Sequence, residues 1–294
     1  MRLPRKPTDA RVIRCDASEE LSTSLPIGGQ AKVPLRDVRN SFFLFPHPDD
    51  ELPIAGTMRD LICCHRAVHA AWLTSGDLFG KGEVREAEHS KAMEILGLDP
   101  RHIHLLRFHD QGLIHVLGDA IDAVAALIRD LRPERIVTVA FEGCHPDHDA
   151  ANFIAYQASR RIGVNADILE YPLYNATGPF WYGRLRLNAF PPGTPGVMYN
   201  PLNEDAIECK HRMMAVYGSQ WKSVLALRLA SSRTRMRRLG EPYRLCPQDR
   251  NHLTPPPGKR HYQCWFNAYK KTSFQDFQQA VQNLCQKRSP AYSS

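Results

Sequence analysis

The chain has 294 residues, with 38 Lys and Arg against 31 Asp and Glu and a net charge of +7. That length suits one α/β domain with elaborations, or one domain and a small appendage. An apolar share of 43% is ordinary for a globular protein and large enough for a substantial core. No stretch approaches the roughly 18 apolar residues of a membrane span. Eight cysteines are too few for a disulfide scaffold at this size, and no Cys-x-x-Cys pair exists. The thiols are therefore expected to be reduced, with no structural zinc ribbon.

Residues 1–40 read as an N-terminal extension. The basic start, Met1 to Pro7, has no apolar core behind it, so it is not a secretory signal and the expected location is the cytoplasm. Ser22 to Gln30 is loop-like. The apolar run Ser41-Phe42-Phe43-Leu44-Phe45 reads as a buried strand. It leads into Pro46-His47-Pro48-Asp49-Asp50-Glu51, after which Leu52, Ile54, Ala55, Met58, Leu61 and Ile62 recur at helical spacing. A histidine and three acids thus stand where a strand hands over to a helix, and the carboxyl ends of strands are where open α/β sheets bind ligands. Burying so many polar groups is costly unless something satisfies them. His47 and Asp50 offer a nitrogen and an oxygen suited to zinc. The competing reading is a helix cap, with Asp49 or Asp50 capping and Glu51 meeting the dipole. The hexapeptide alone does not choose between them.

Ala67 to Thr74 reads as the second strand and ends in a polar turn, Ser75-Gly76-Asp77. A helix over Glu83 to Leu96 follows, with Gly97 suited to its end. On that helix Arg85 could be a surface partner of Glu88. His102 to Phe108 is the third strand, with His102 and His104 expected on a solvated face. The helix Val116 to Leu131 carries an apolar stripe and stops at Pro133. The fourth strand, Arg135 to Phe141, runs into Glu142-Gly143-Cys144-His145-Pro146-Asp147-His148-Asp149, and a helix is expected from Ala150 to about Arg160.

Two His/Asp clusters at equivalent strand ends can meet. Together they supply His47, Asp50 and one His of the second cluster, a zinc set with a position open for water. Residue pattern alone does not separate His145 from His148. The repeated strand-helix order predicts an α/β fold, a Rossmann-like and mostly parallel sheet with helices on both faces. The absence of Gly-x-Gly-x-x-Gly after the first strand removes support for a dinucleotide.

Asp167 to Pro172 reads as a fifth strand, and Trp181 to Asn188 as the start of an antiparallel part. Tyr171, Tyr174, Phe180 and Trp181 are expected in the core, with stacking on a sugar ring as the alternative. Basic residues crowd from Lys210 to Arg250. They read as a solvated face or, alternatively, as an anion-binding surface. Without basic-aromatic interleaving, nucleic acid is not expected as a partner. The end of the chain, from Ser273, suggests an amphipathic helix through Phe274, Phe277, Val281 and Leu284. The expected organisation is a domain over 41–230 and a C-terminal extension, 231–294, packing on its core.

Pro-His-Pro-Asp-Asp-Glu at 46–51 followed by Glu-Gly-x-His-Pro-Asp-His at 142–148 resembles the PIG-L/LmbE family of zinc-dependent N-deacetylases. Thr74-Ser75-Gly76, Arg85-x-x-Glu88, Asp110 near Gly112, and Lys210 with Tyr217-x-Ser219-Gln220 are similar to further family landmarks. The likeness spans roughly Asn40 to Gln220. It implies removal of an acetyl group from an amino sugar or glycoconjugate, with zinc or another divalent metal as cofactor. It implies His47, Asp50 and His148 as metal ligands, because members use the second His of His-Pro-Asp-His. It further implies Asp49 as general base, His145 as oxyanion stabiliser, and Asp147 as the group orienting His145. Arg85 and Asp110 are implied to bind sugar hydroxyls, and Glu51 to support its loop. Cys144 stands where the resemblance leads one to expect Gly. It reads as a small residue filling a tight turn, or as a thiol close to the metal. Cleavage of another amide, in a sugar or thiol-sugar conjugate, is an alternative within the family, and a non-catalytic sugar-binding member is another. Retention of Asp49 beside all three ligands speaks against the last. An oligomer is compatible with this architecture.

Overall fold

Phe42, Phe43, Leu44 and Phe45 have no solvent exposure, as a central parallel strand covered on both faces requires. In the computed structural model, which describes residues 35–179, 185–258, 262 and 272–288, this run is strand β1 (Asn40–Phe45). The later strands are β2 (Ala67–Thr74), β3 (Ile103–Phe108), β4 (Arg135–Val139), β5 (Asp167–Tyr171), β6 (Tyr174–Asn175), β7 (Arg186–Leu187), β8 (Met198–Asn200) and β9 (Glu241–Leu245). The helices are α1 (Ala55–Cys63), α2 (Gly82–Leu96), α3 (Leu117–Leu131), α4 (Pro146–Ile162), α5 (Glu204–Val216), α6 (Trp221–Ala230), α7 (Arg233–Leu239) and α8 (Phe274–Arg288).

The main sheet has seven strands in the order β3-β2-β1-β4-β5-β9-β8. The first five are parallel, and β9 runs antiparallel to both β5 and β8. Phe43 stands opposite Ala70 of β2 on one side and Val137 of β4 on the other. Helices α1, α2 and α5 pack on one another, as do α3, α4 and α8. The α/β fold with a mostly parallel Rossmann-like sheet is therefore as the strand-helix repeat predicts. Strands β6 and β7 form a separate antiparallel pair. The expected strand at Trp181 to Asn188 contributes only Arg186 and Leu187 to it, and 180–184 lie outside the described residues. The N-terminal 34 residues also lie outside them.

Two boundaries move for identifiable reasons. Helix α4 begins at Pro146, not at Ala150. A proline is tolerated at the first helical position because its missing N–H would have no partner there. His145 caps the turn, its Nδ1 accepting from the Asp147 N–H at 3.1 Å. His148 is consequently a first-turn helical residue. His102 sits in a 3-10 turn before β3, its ring 4.1 Å from that of His69.

The segment beyond 231 packs on the core by entering its sheet, because β9 is hydrogen-bonded between β5 and β8. Much of the basic run is consumed by internal pairing. Arg244 and Arg250 both bind the buried Glu170, while Arg233 and Arg237 pair with Glu208 and Glu204 at the surface. Six described cysteines are free of disulfides. Cys144 is buried beside Leu185, in keeping with a small residue in a tight turn. No helix among the described residues is long and apolar enough to cross a membrane.

Candidate functional site

The chain runs outward from β1 through β2 to β3, then returns to place β4 on the other side of β1. At such a reversal, loops from the carboxyl ends of the two neighbouring strands diverge and leave a crevice. β1 delivers residues 46–51 to that crevice and β4 delivers 142–148. Strand adjacency is what brings the two distant motifs together.

The first loop is held in a costly conformation. Asp49 has a φ of 101°, a left-handed backbone that non-glycine residues avoid at about 1–3 kcal/mol. Glu51 secures it: its Oε2 accepts from the Asp49 N–H at 3.0 Å and from Trp72 Nε1 at 3.2 Å. Its Oε1 accepts from the Tyr217 hydroxyl. Tyr171 donates to the Asp50 carbonyl at 2.7 Å. Glu51 and the Tyr217 of the late motif thus form a scaffold beneath the loop.

His47 lies at the centre of the polar cluster. Its Nδ1 is 2.9 Å from Asp50 Oδ2, and its Nε2 is 3.2 Å from both Asp110 Oδ1 and Asp147 Oδ2. His148 Nε2 lies 3.4 Å from Asp50 Oδ2. The rings of His145 and His148 stack with centroids 4.5 Å apart. The Asp147 carboxylate accepts from the N–H groups of Gln111 and Leu113 in addition to meeting His47. The backbone N–H of Asp147 donates to His145 Nδ1 and so helps orient that ring.

Among the described residues, two triads could hold a metal ion: His47, Asp50 and His148, or His47, His145 and Asp147. In each, the ligand atoms lie within 4.8 Å of one another. The donor set fits a divalent cation. Asp49, Asp50, Asp110 and Asp147 crowd into largely buried space, with Arg85 as their permanent cation. Such a surplus of buried negative charge is unfavourable unless neutralised. The ionisation equilibria express the same crowding. Burial alone would lower the His47 imidazole, but Asp110, then Asp147 and Asp50, overcome it and hold the ring well above its usual range. Burial would raise Asp50, but His148 and His47 hold it far below the ordinary carboxylate range. Asp49 is pushed up to about 8, chiefly by burial, with Asp50 and Glu51 adding to the effect and Arg85 opposing it.

A cavity of about 320 Å³ opens above the cluster. His47, Asp49, Asp50, Arg85, Asp110, His145 and His148 all line it, whereas Asp147 lies beneath. Seven of the eight residues expected at the site therefore face one cavity. Arg85 lines the cavity, but its Nη2 is already engaged by Asp49 Oδ1 at 2.9 Å and by the Pro48 carbonyl. Gly76 makes room for it. With a φ of 63°, that glycine carries no side chain where an added Cβ would stand 2.7 Å from the guanidinium. No residue of 228–250 lines the cavity.

Sequence reading overlooked Lys81, Gln111 and Ser223, which also line it. It also missed the part played by Glu241. That carboxylate accepts from Gly56 N–H, Thr57 N–H and Thr57 Oγ1 at the start of α1, and from Lys210 Nζ at 2.6 Å. Lys210 donates to the Pro53 carbonyl as well, so this late-motif lysine is a buttress of the loop and not a wall of the cavity.

The family profile PIG-L, described as GlcNAc-PI de-N-acetylase, matches residues 42–159. The match contains both loops and every residue of the two triads. Residues 42–159 are thus similar to a PIG-L domain. A Bacillus cereus protein named "Probable N-acetyl-alpha-D-glucosaminyl L-malate deacetylase 2" is 33% identical over 139 residues, 42% of this chain and 62% of that protein. The chain thus spans less than two thirds of this relative's length. A conserved protein from Thermus thermophilus has a TM-score of 0.55 at 24% identity, covering 71% of this chain and 94% of that one. An inhibitor complex of N,N'-diacetylchitobiose deacetylase from Pyrococcus horikoshii has a TM-score of 0.51 at 18% identity, covering 73% and 86%. At those identities the structural likeness is one of fold. The sheet of this chain continues past the matched residues, through β9 and β8.

Proposed function

We propose that the protein is a metal-dependent hydrolase that removes the N-acetyl group from an amino-sugar-containing substrate. The observation that carries this reading is the convergence of His47, Asp50 and His148 on one cavity that Asp49 also lines. Of the two triads, we favour this one as the metal site. All three of its members face the cavity, whereas Asp147 is turned beneath it with its oxygens on Gln111 and Leu113. Zinc, or another divalent ion, would supply Lewis acidity there toward water and an amide carbonyl.

The chain's own residues complete the chemistry. Asp49 acts as general base, its Oδ1 fixed by Arg85, and returns the proton to the leaving amine. His145 Nδ1 accepts from the Asp147 N–H, which leaves the ring proton on Nε2. That proton makes His145 a donor suited to the oxyanion of the tetrahedral intermediate. Asp110 and Arg85 bind sugar hydroxyls from the cavity wall. The names of the matched family and of the Bacillus cereus protein both support an N-acetylated amino sugar as substrate.

The test is acetate release from N-acetylglucosamine and its phosphorylated and glycosylated forms, with and without chelator. Asp49→Ala is expected to keep its metal and to lose turnover by about 100-fold or more. His47→Ala is expected to lose metal and turnover together. Full activity of Asp49→Ala, or release unaffected by chelator, defeats the reading.

A further inference from the structure

We infer that Tyr262, far outside the matched domain, is a positioning residue for the loop that carries His145 and His148. This inference rests on the metal site proposed above. Four contacts carry it. The Tyr262 hydroxyl donates to Asp149 Oδ2 at 2.9 Å. The other oxygen, Asp149 Oδ1, accepts from the N–H groups of Glu142 and Gly143 at 3.0 and 3.1 Å. The Tyr262 N–H donates to the Gly143 carbonyl at 2.9 Å. Tyr262 thereby grips the loop twice: at its first turn through main chain, and at the opening of α4 through Asp149.

The grip is rigid from the other side. Tyr262 is 1% exposed, and its ring lies 5.6 Å from Phe274 of α8. Phe274 and Phe277 lie 6.1 and 6.0 Å from Phe141, the residue just before the loop. The backbone of Tyr262 is itself left-handed, with a φ of 57°, a conformation that persists only where surrounding contacts impose it. Asp149 directly follows His148. Fixing Asp149 therefore fixes the first turn of α4, from which His148 projects toward Asp50. Partners behind metal ligands set the ligands' orientation, and their loss commonly weakens metal affinity by about 10–100-fold. The loop of the second motif is thus completed by a tyrosine more than a hundred residues downstream.

The experiment compares the full chain with Tyr262→Phe and with a control, Tyr156→Phe. Tyr156 is also buried, and its hydroxyl donates to the Gln248 carbonyl away from the loop. Zinc affinity is read by competition with a chromophoric chelator, and ligand geometry by the visible spectrum of the cobalt(II) form. Tyr262→Phe is expected to bind zinc roughly tenfold or more weakly and to alter the cobalt bands. Tyr156→Phe is expected to leave both unchanged. Equal affinity and spectrum for Tyr262→Phe and wild type overturn the inference, as does an equal loss in both variants. Failure of the wild type to bind either ion overturns the metal site itself. Should Tyr262→Phe not fold, amide exchange of the wild type decides: Glu142 and Gly143 as slow as the interior of α4 supports the grip, and rapid exchange there overturns it.

Discussion

Replacing Lys210 with Met is expected to destabilise the protein by about 3–4 kcal/mol, the cost of breaking a buried ion pair from one side plus one stranded carbonyl. The structure sets that figure. Lys210 Nζ lies 2.6 Å from Glu241 Oε1 with both side chains wholly buried, so removing the ammonium leaves a carboxylate in the interior. A stranded buried partner costs about 3–5 kcal/mol. The lower end applies because Glu241 keeps three donors at the start of α1: Gly56 N–H, Thr57 N–H and Thr57 Oγ1. The Pro53 carbonyl also loses its partner, adding about 1 kcal/mol. Methionine keeps most of the side-chain volume, so little of the loss comes from a cavity. Against a total stability of about 5–15 kcal/mol this is a large fraction. Urea unfolding measured by circular dichroism gives the midpoint and slope for wild type and variant. A loss below about 1 kcal/mol at unchanged slope refutes the account of Glu241 as a charge needing compensation. Pro53 lies just past the loop of the proposed metal site, so a fall in metal affinity is expected to accompany the loss of stability.

Arg85→Ala is expected to free Asp49 and lower kcat/KM by about 100-fold, measured by acetate release; a near-normal rate removes Arg85 from the account. Gly76→Ala forces a side chain into a left-handed position against the guanidinium. It should act in the same direction as Arg85→Ala and lower stability by about 1 kcal/mol in thermal or urea unfolding. His252 is held neutral, lowered to about 3 by burial and by Arg250. The unfolded chain binds that proton near the ordinary imidazole value and the folded chain does not, so stability should be full above about pH 6.5 and fall as pH drops toward 3. His252→Phe should flatten that decline, by at most about 1.4 kcal/mol per pH unit in urea titrations from pH 7 to 4. An unchanged slope would show that His252 is not the responsible group.

The strands and the chemistry at their ends were legible because both are local patterns. Phe42 to Phe45 and Arg135 to Val139 are short apolar runs, each ending abruptly in histidines and acids. The start of α4 was misplaced because His145 caps through a ring nitrogen, a role seldom looked for in a sequence, and because Pro146 resembles a breaker when it stands at a helix start. The residue pattern made Arg85 a surface partner of Glu88 and only the resemblance turned it inward; its bond to Asp49 depends on where α2 lies against the β1 loop.

The order of residues alone set the inventory: which histidines and acids are candidates for the chemistry, and that each cluster follows a buried strand. Tertiary structure decided their company. Pairing of β1 with β4 sets His47 against the second cluster, and insertion of β9 brings Glu241 to the first turn of α1. Burial of Tyr262 closes the second loop from the far end of the chain. The physical reason is that hydrophobic periodicity encodes which face of an element is buried but not which element covers it. The partner is settled only when loop entropy, sheet order and packing are satisfied together.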